Sequence, residues 1–291
     1  MDLLPEKIAE LVHELSVLPF DDMHAEGPVT DPFVLTNYVV WGIVALFIIA
    51  SLFIIVSNRE RRSLASAEKG GSITALAPAG RFVGMIEAGV EFIRDMAVDV
   101  IGQKDGPRYV PLLGTFFFLI LTSNMLGLIP GGKAIGGAFG GAVALALISW
   151  IVFVWVGFTK NGAYGYLKSL IPSGVREMSL GGRLVLGTYM FVLEFVSTFV
   201  VRPLTLSVRL FANLYAGHII LGVFSAFVAL FWPIVEPGLS ASIGGIGVGA
   251  VSLVFLTLMY AFEVFVAFIQ AYVFTILTAV YIQSSVHASE H

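Results

Sequence analysis

Residues 184–232 read LVLGTYMFVLEFVSTFVVRPLTLSVRLFANLYAGHIILGVFSAFVALFW, an apolar run interrupted by Glu194, Arg202, Arg209 and His218. At about 1.5 Å per residue this run is roughly 70 Å long if helical. A bilayer core about 30 Å thick needs only about 20 apolar residues, or a few more with tilt. Residues 247–283 repeat the problem, with Gly247 to Ile282 alone reaching roughly 54 Å. Two readings follow. Either each stretch is one oblique helix and the pair forms a hairpin about a turn at Pro233–Gly244, or Pro203, which lacks a backbone donor, splits the first at Arg202-Pro203 and adds a crossing. The first is preferred here.

Outward from this hairpin the pattern is that of lipid-embedded helices. The 291 residues are 57% hydrophobic and only 12% charged, against about 25% charged in soluble domains, and the mean hydropathy is +0.92. Further spans are expected at 37–57, 110–129 and 139–158. Tyr38 and Trp41 stand like interfacial anchors at the start of the first. Residues 82–101 differ: Phe82, Met85, Ile86, Val90, Ile93, Ala97 and Val100 keep helical spacing, and Glu87, Glu91, Asp95 and Asp99 recur every four residues opposite them. That is an amphipathic helix for the cytoplasmic surface or a partner. The fold class is therefore all-α integral membrane protein, with about five membrane helices, one amphipathic surface helix, and the last two spans long and strongly tilted.

Charge orients this scheme. Arg59, Arg61, Arg62, Lys69 and Arg81 follow the first span, and Lys160, Lys168, Arg176 and Arg183 follow the third. The positive-inside rule makes both loops cytoplasmic. Residues 58–109 are then a cytoplasmic loop, and residues 110–291 an ion-path domain with its C-terminus cytoplasmic. Residues 1–36 become an acidic extramembrane segment on the outer side. Asp2, Glu6, Glu10, Glu14, Asp21, Asp22, Glu26 and Asp31 face a single Lys7 there, the opposite of a secretory signal. With no cysteine in the chain, disulfides, thiolate metal sites and cysteine nucleophiles are excluded.

Charge at mid-bilayer costs about 3 kcal/mol on insertion scales, so the polar residues inside the spans mark function. Arg202, Arg209 and Asn213 share one helix face, seven and four residues apart, and His218 falls on roughly the opposite face. Glu263, Gln270 and Tyr281 form one stripe of the last span. The hairpin is expected to present Arg209 and Gln270 to one surface, with His218 and Glu263 on a buried cavity behind it. Arg202 also fits a snorkelling or lipid-phosphate role, Asn124 an interhelical hydrogen bond, and His218 with Glu263 a structural pair. Arg209 sits too far from either end of its run to snorkel. The segment Gly127–Lys133 reads G-x-x-x-x-G-K but continues with Ala134 instead of Ser or Thr, and it follows a span rather than a strand. It is no phosphate loop.

Three blocks, in order, resemble one family. RPLTLSVRLFANLYAGHII (202–220) is similar to the signature of the a subunit of F-type ATP synthases. FFFLILTSNMLGLIP (116–130) resembles that family's second spanning segment, and FEVFVAFIQAYVFTILTAVYI (262–282) its C-terminal helix. The resemblance implies that Arg209 is the family's essential arginine and Asn213 the asparagine one turn later. It likewise makes Gln270 the glutamine facing that arginine and Asn124 the asparagine of the second segment. His218 and Glu263 match a pair that some members carry in reversed order, and Glu194 is a looser match to a polar residue of the path.

The implied function is a proton-translocating stator subunit in a bacterial cell (inner) membrane. Its two half-channels work against a rotating c-subunit ring, with b subunits or a peripheral stalk as further partners. Protons rather than Na⁺ would be the coupling ion. No nucleotide site, cofactor, metal or nucleic acid is expected on this chain. The alternative is a stand-alone secondary transporter or ion channel, whose expected internal repeats or paired broken helices are not evident. A stator protein without ion flux leaves a midplane arginine unexplained.

Overall fold

A computed structural model describes residues 37–68, 81–129, 131–169, 180–231 and 243–286. The acidic segment 1–36 and most of the turn expected at Pro233–Gly244 lie outside the described residues. Every long element among the described residues is helical: α1 (Asn37–Glu68), α2 (Arg81–Ile101), α3 (Gly106–Gly127), α4 (Phe139–Ser169), α5 (Leu180–Val196), α6 (Arg202–Phe231) and α7 (Ile243–Val286). Four apolar stretches are long enough to cross a membrane, at 106–127, 139–162, 185–231 and 247–286, and Tyr38–Ile54 is a shorter one.

The preferred reading of one continuous helix holds, and the alternative split at Pro203 does not occur. Residues Ser197–Val201 form a π-helical turn that joins α5 to α6 without interruption. A proline ring clashes with the carbonyl four residues back and offers no N–H. A wider turn directly before it relieves both faults within a continuous helix. The result is 47 apolar helical residues, about 70 Å, which cannot stand upright in a core about 30 Å thick.

The hairpin α6–α7 keeps one antiparallel register. Gly249 packs under the Phe231 carbonyl, Phe224 stacks on Phe255 at 5.5 Å, Gly217 meets Glu263, and Arg202 lies 5.1 Å from the Tyr281 ring centre. Against it stands the α3–α4 hairpin. Phe116 and Phe117 of α3 meet Phe274 and Phe268 of α7 at 5.4 and 5.7 Å. Phe139 and Trp150 of α4 meet Phe211 and Phe199 at 5.7 and 5.9 Å.

Small and hydroxylated residues allow close approach where no water is available to drive association. Ala142, Ala146 and Ser149 of α4 are buried, as are Ala271, Thr275, Thr278 and Ala279 of α7. Ser149 and Thr278 hydroxyls bond at 2.9 Å, and Thr275 and Thr278 donate to carbonyls one turn back in their own helix. The glycines at 136, 137, 140 and 141, before and at the start of α4, pack unequally. Gly136 seats Leu210 and Leu214, Gly141 packs on Ile135 of the adjoining turn, and Gly140 has open space.

The amphipathic α2 is real, and much of its apolar face packs within the chain, with Met85 left exposed. Ile93 and Ala97 are wholly buried, Phe92 lies 6.3 Å from Phe117 and 5.6 Å from Tyr272, and Val83 and Ile86 pack with Leu52 of α1. Glu91, Asp95 and Asp99 stay exposed. Lys160 closes the hairpin's far corner by pairing with Asp105 at 2.7 Å. Just beyond it α4 breaks at Gly162, whose φ of 71° is a conformation that residues with a Cβ rarely adopt.

Candidate functional site

Arg209 is exposed on α6, amid exposed Leu204, Thr205, Val208 and Ala212. Among the described residues no carboxylate pairs with it. Carrying the hairpin register back from Gly217–Glu263 sets Arg209 level with Gln270 and Ala271. Gln270 does not share that surface, however. It is 6% exposed and lies on the buried stripe of α7 with Glu263, Ala267 and Phe274. The expected pairing of Arg209 and Gln270 at one surface is thus corrected: the stripe that buries Glu263 must bury a residue seven positions on as well. Asn213, one turn beyond Arg209, is half-buried.

Glu263 is 6% exposed, and its carboxylate rests against Gly217, where an added Cβ would overlap it. Glycine at 217 is therefore the seat of the buried acid. Nothing in the polar pattern of the sequence marks it, although it adjoins His218. His218 itself turns to a cavity of about 110 Å³ lined with Tyr38, Gly132, Lys133, Ala134, Gly137 and Tyr215. That is ample for several water molecules. Lys133, over the Tyr38 ring at 5.5 Å, is a further charged residue here that sequence reasoning did not single out.

Asn124 is 2% exposed, and its Nδ2 has no acceptor among the described residues. It lies seven residues beyond Phe117 on α3, while Glu263 lies five before Phe268 on the antiparallel α7. The two therefore stand at about the same height. The neighbouring Ser123 accepts the Ile135 N–H at 2.7 Å and fixes the turn that floors the cavity.

Glu194 lies elsewhere. Arg202 Nη2 donates to its Oε1 at 2.8 Å, and Thr198 Oγ1 donates to the same oxygen at 3.4 Å. Arg202 is thus held within the chain, a partner that its snorkelling reading did not include. Tyr166, carried back over Gly157 after the break at Gly162, is buried near this pair. Burial raises its hydroxyl above the ordinary tyrosine range, so it stays a neutral phenol.

Three groups of polar residues thus line the long hairpin: His218, Glu263 and Asn124 near the α3–α4 turn, exposed Arg209 with buried Gln270 below them, and Glu194 with Arg202 and Tyr281 beyond. The family model described as ATP synthase A chain matches residues 39–283. ATP synthase subunit a of Rhodococcus erythropolis (strain PR4 / NBRC 100887) is 32% identical over 300 residues, covering 98% of each chain. That of Myxococcus xanthus (strain DK1622) is 37% identical over 254 residues, 87% of this chain and 73% of that protein. That of Acidiphilium cryptum (strain JF-5) is 37% identical over 247 residues, 84% and 85%.

Proposed function

The chain belongs to the ATP synthase A chain family, the proton-translocating stator of the Fo sector, and from that premise we propose that Arg209 separates two half-channels on this chain. The observation that carries the proposal is an exposed guanidinium without an ion-pair partner among the described residues, in the apolar face of a membrane helix. A permanent charge in that position calls for an opposite charge from outside the chain. A carboxylate on each c subunit of a rotating ring supplies it.

Protons enter from the outer side through the cavity at His218 and pass to Glu263, beside Asn124. A buried amide without a protein acceptor costs about 1–3 kcal/mol, which favours a role for Asn124 on water or a proton in transit. The ring carboxylate is neutralised there and rotates into lipid. After nearly a full turn it releases its proton towards Glu194 and the cytoplasmic side, with Arg209 favouring its ionised form. At about 4 Å and an effective dielectric of about 20 the attraction is about 4 kcal/mol before desolvation. That biases release without fixing the ring. Gln270, buried at the same height, supports the helix face behind Arg209 rather than sharing its surface. Each proton falling through about 100 mV contributes about 2.3 kcal/mol.

Peripheral-stalk contacts, an outward N-terminus, a cytoplasmic C-terminus and H⁺ in preference to Na⁺ belong to the same proposal. ATP-driven proton pumping by inverted vesicles tests it, with ATPase activity assayed alongside. Arg209→Ala is expected to assemble and hydrolyse ATP yet pump nothing. Normal pumping by that variant would falsify the separator role.

A further inference from the structure

Two backbone irregularities meet on the Glu194 side of the hairpin. The break at Gly162 returns Tyr166 onto α4, and the π-helical turn Ser197–Val201 separates Glu194 from Arg202. In a regular α-helix, residues eight apart are about 80° out of line, whereas residues seven apart are nearly aligned. A π turn holds one residue more than an α turn, so the eight positions from Glu194 to Arg202 behave as seven. Both side chains then lie on one face, and the 2.8 Å ion pair follows.

The partners divide the carboxylate unequally. Oε1 receives both the Arg202 and the Thr198 hydrogen bonds. The Arg202 side chain is 17% exposed and its guanidinium is backed by the Tyr281 ring, whereas the Glu194 side chain is 44% exposed. Arg202 thus anchors one oxygen on the protein side and leaves the carboxylate open on the other. Among the described residues the titratable groups near it are Arg202 from α6, Tyr281 from α7 and Tyr166 from α4.

We propose that Arg202 is a positioning residue for proton release, holding Glu194 by Oε1 so that Oε2 takes the proton from the ring carboxylic acid and hands it to water. Only O–H bonds form and break. The inference rests on the proposed path through Glu194 and adds to it the residue that orients the acceptor.

The experiment is passive proton conductance through Fo in inverted vesicles stripped of the catalytic sector. Conductance is normalised to assembled complex, which removes losses from poor assembly. Arg202→Gln keeps hydrogen-bond donors while removing charge, and is expected to lower conductance about fivefold; Arg202→Lys is expected to recover to within about twofold of wild type. Glu194→Gln should lower it at least as much, and adding Arg202→Gln to Glu194→Gln should cost nothing more, the non-additivity of residues that act through one another. Wild-type conductance in Arg202→Gln, or losses that simply add in the double variant, overturns the positioning role and leaves the Glu194 path standing. Wild-type conductance in Glu194→Gln overturns that path and the positioning role together.

Discussion

Arg202 and Arg209 stand seven residues apart on α6, nearly in line, yet the chain treats them oppositely. Arg202 has its carboxylate at 2.8 Å and an aromatic ring behind it. Arg209 is exposed among apolar side chains and pairs with no carboxylate among the described residues. The first charge is neutralised within the fold. The second is left for a partner. The same residue type on the same helix face thus serves internal order in one place and, on the function proposed above, exchange with a moving neighbour in the other.

The sharpest test of this contrast is to remove each charge in turn. Arg209→Ala is expected to reduce coupled ATP synthesis by at least about 100-fold, equivalent to about 2.7 kcal/mol or more, whereas Arg202→Gln loses only severalfold. Equal losses measured in the same membranes would erase the distinction. Next in size is Gly217→Val, whose branches enter the space of the Glu263 carboxylate. Proton conductance should drop about tenfold, and Glu263→Asp, by shortening the acid, should restore part of it. A Gly217→Val variant that conducts normally would mean that Glu263 has room elsewhere. Smaller again is Ser149→Ala, which breaks the 2.9 Å bond to Thr278. A loss near 1 kcal/mol is expected, seen as earlier thermal unfolding of the detergent-purified complex with little change in pumping.

Apolar run lengths made the long hairpin legible, because lipid tolerates few residue patterns besides uninterrupted hydrophobic helix. Helical periodicity likewise identified α2, and the rarity of charge inside membrane spans singled out Arg209, Glu263 and His218. What escaped were relations between helices. Gln270 went to the wrong surface because its burial depends on how α7 packs against α3 and α4. Gly217 has no side chain to attract notice, and its role appears only once Glu263 is placed opposite. The Glu194–Arg202 pair was hidden by a spacing of eight, which reads as two different faces unless the π turn is known.

That π turn makes the continuous helix α5–α6 one residue longer than its geometry needs. Val200 lies within it and is 53% exposed. Deleting Val200 should let the segment relax to regular α-helix, with Glu194 and Arg202 seven apart and still aligned. Deleting a residue from the middle of α7 would instead rotate half that helix by about 100° and scramble its buried stripe. The expected outcome is a vesicle pumping rate close to wild type after loss of Val200. The bulge is then slack in the chain, a place where a membrane helix beside its working charge can gain or lose a residue and keep its aim.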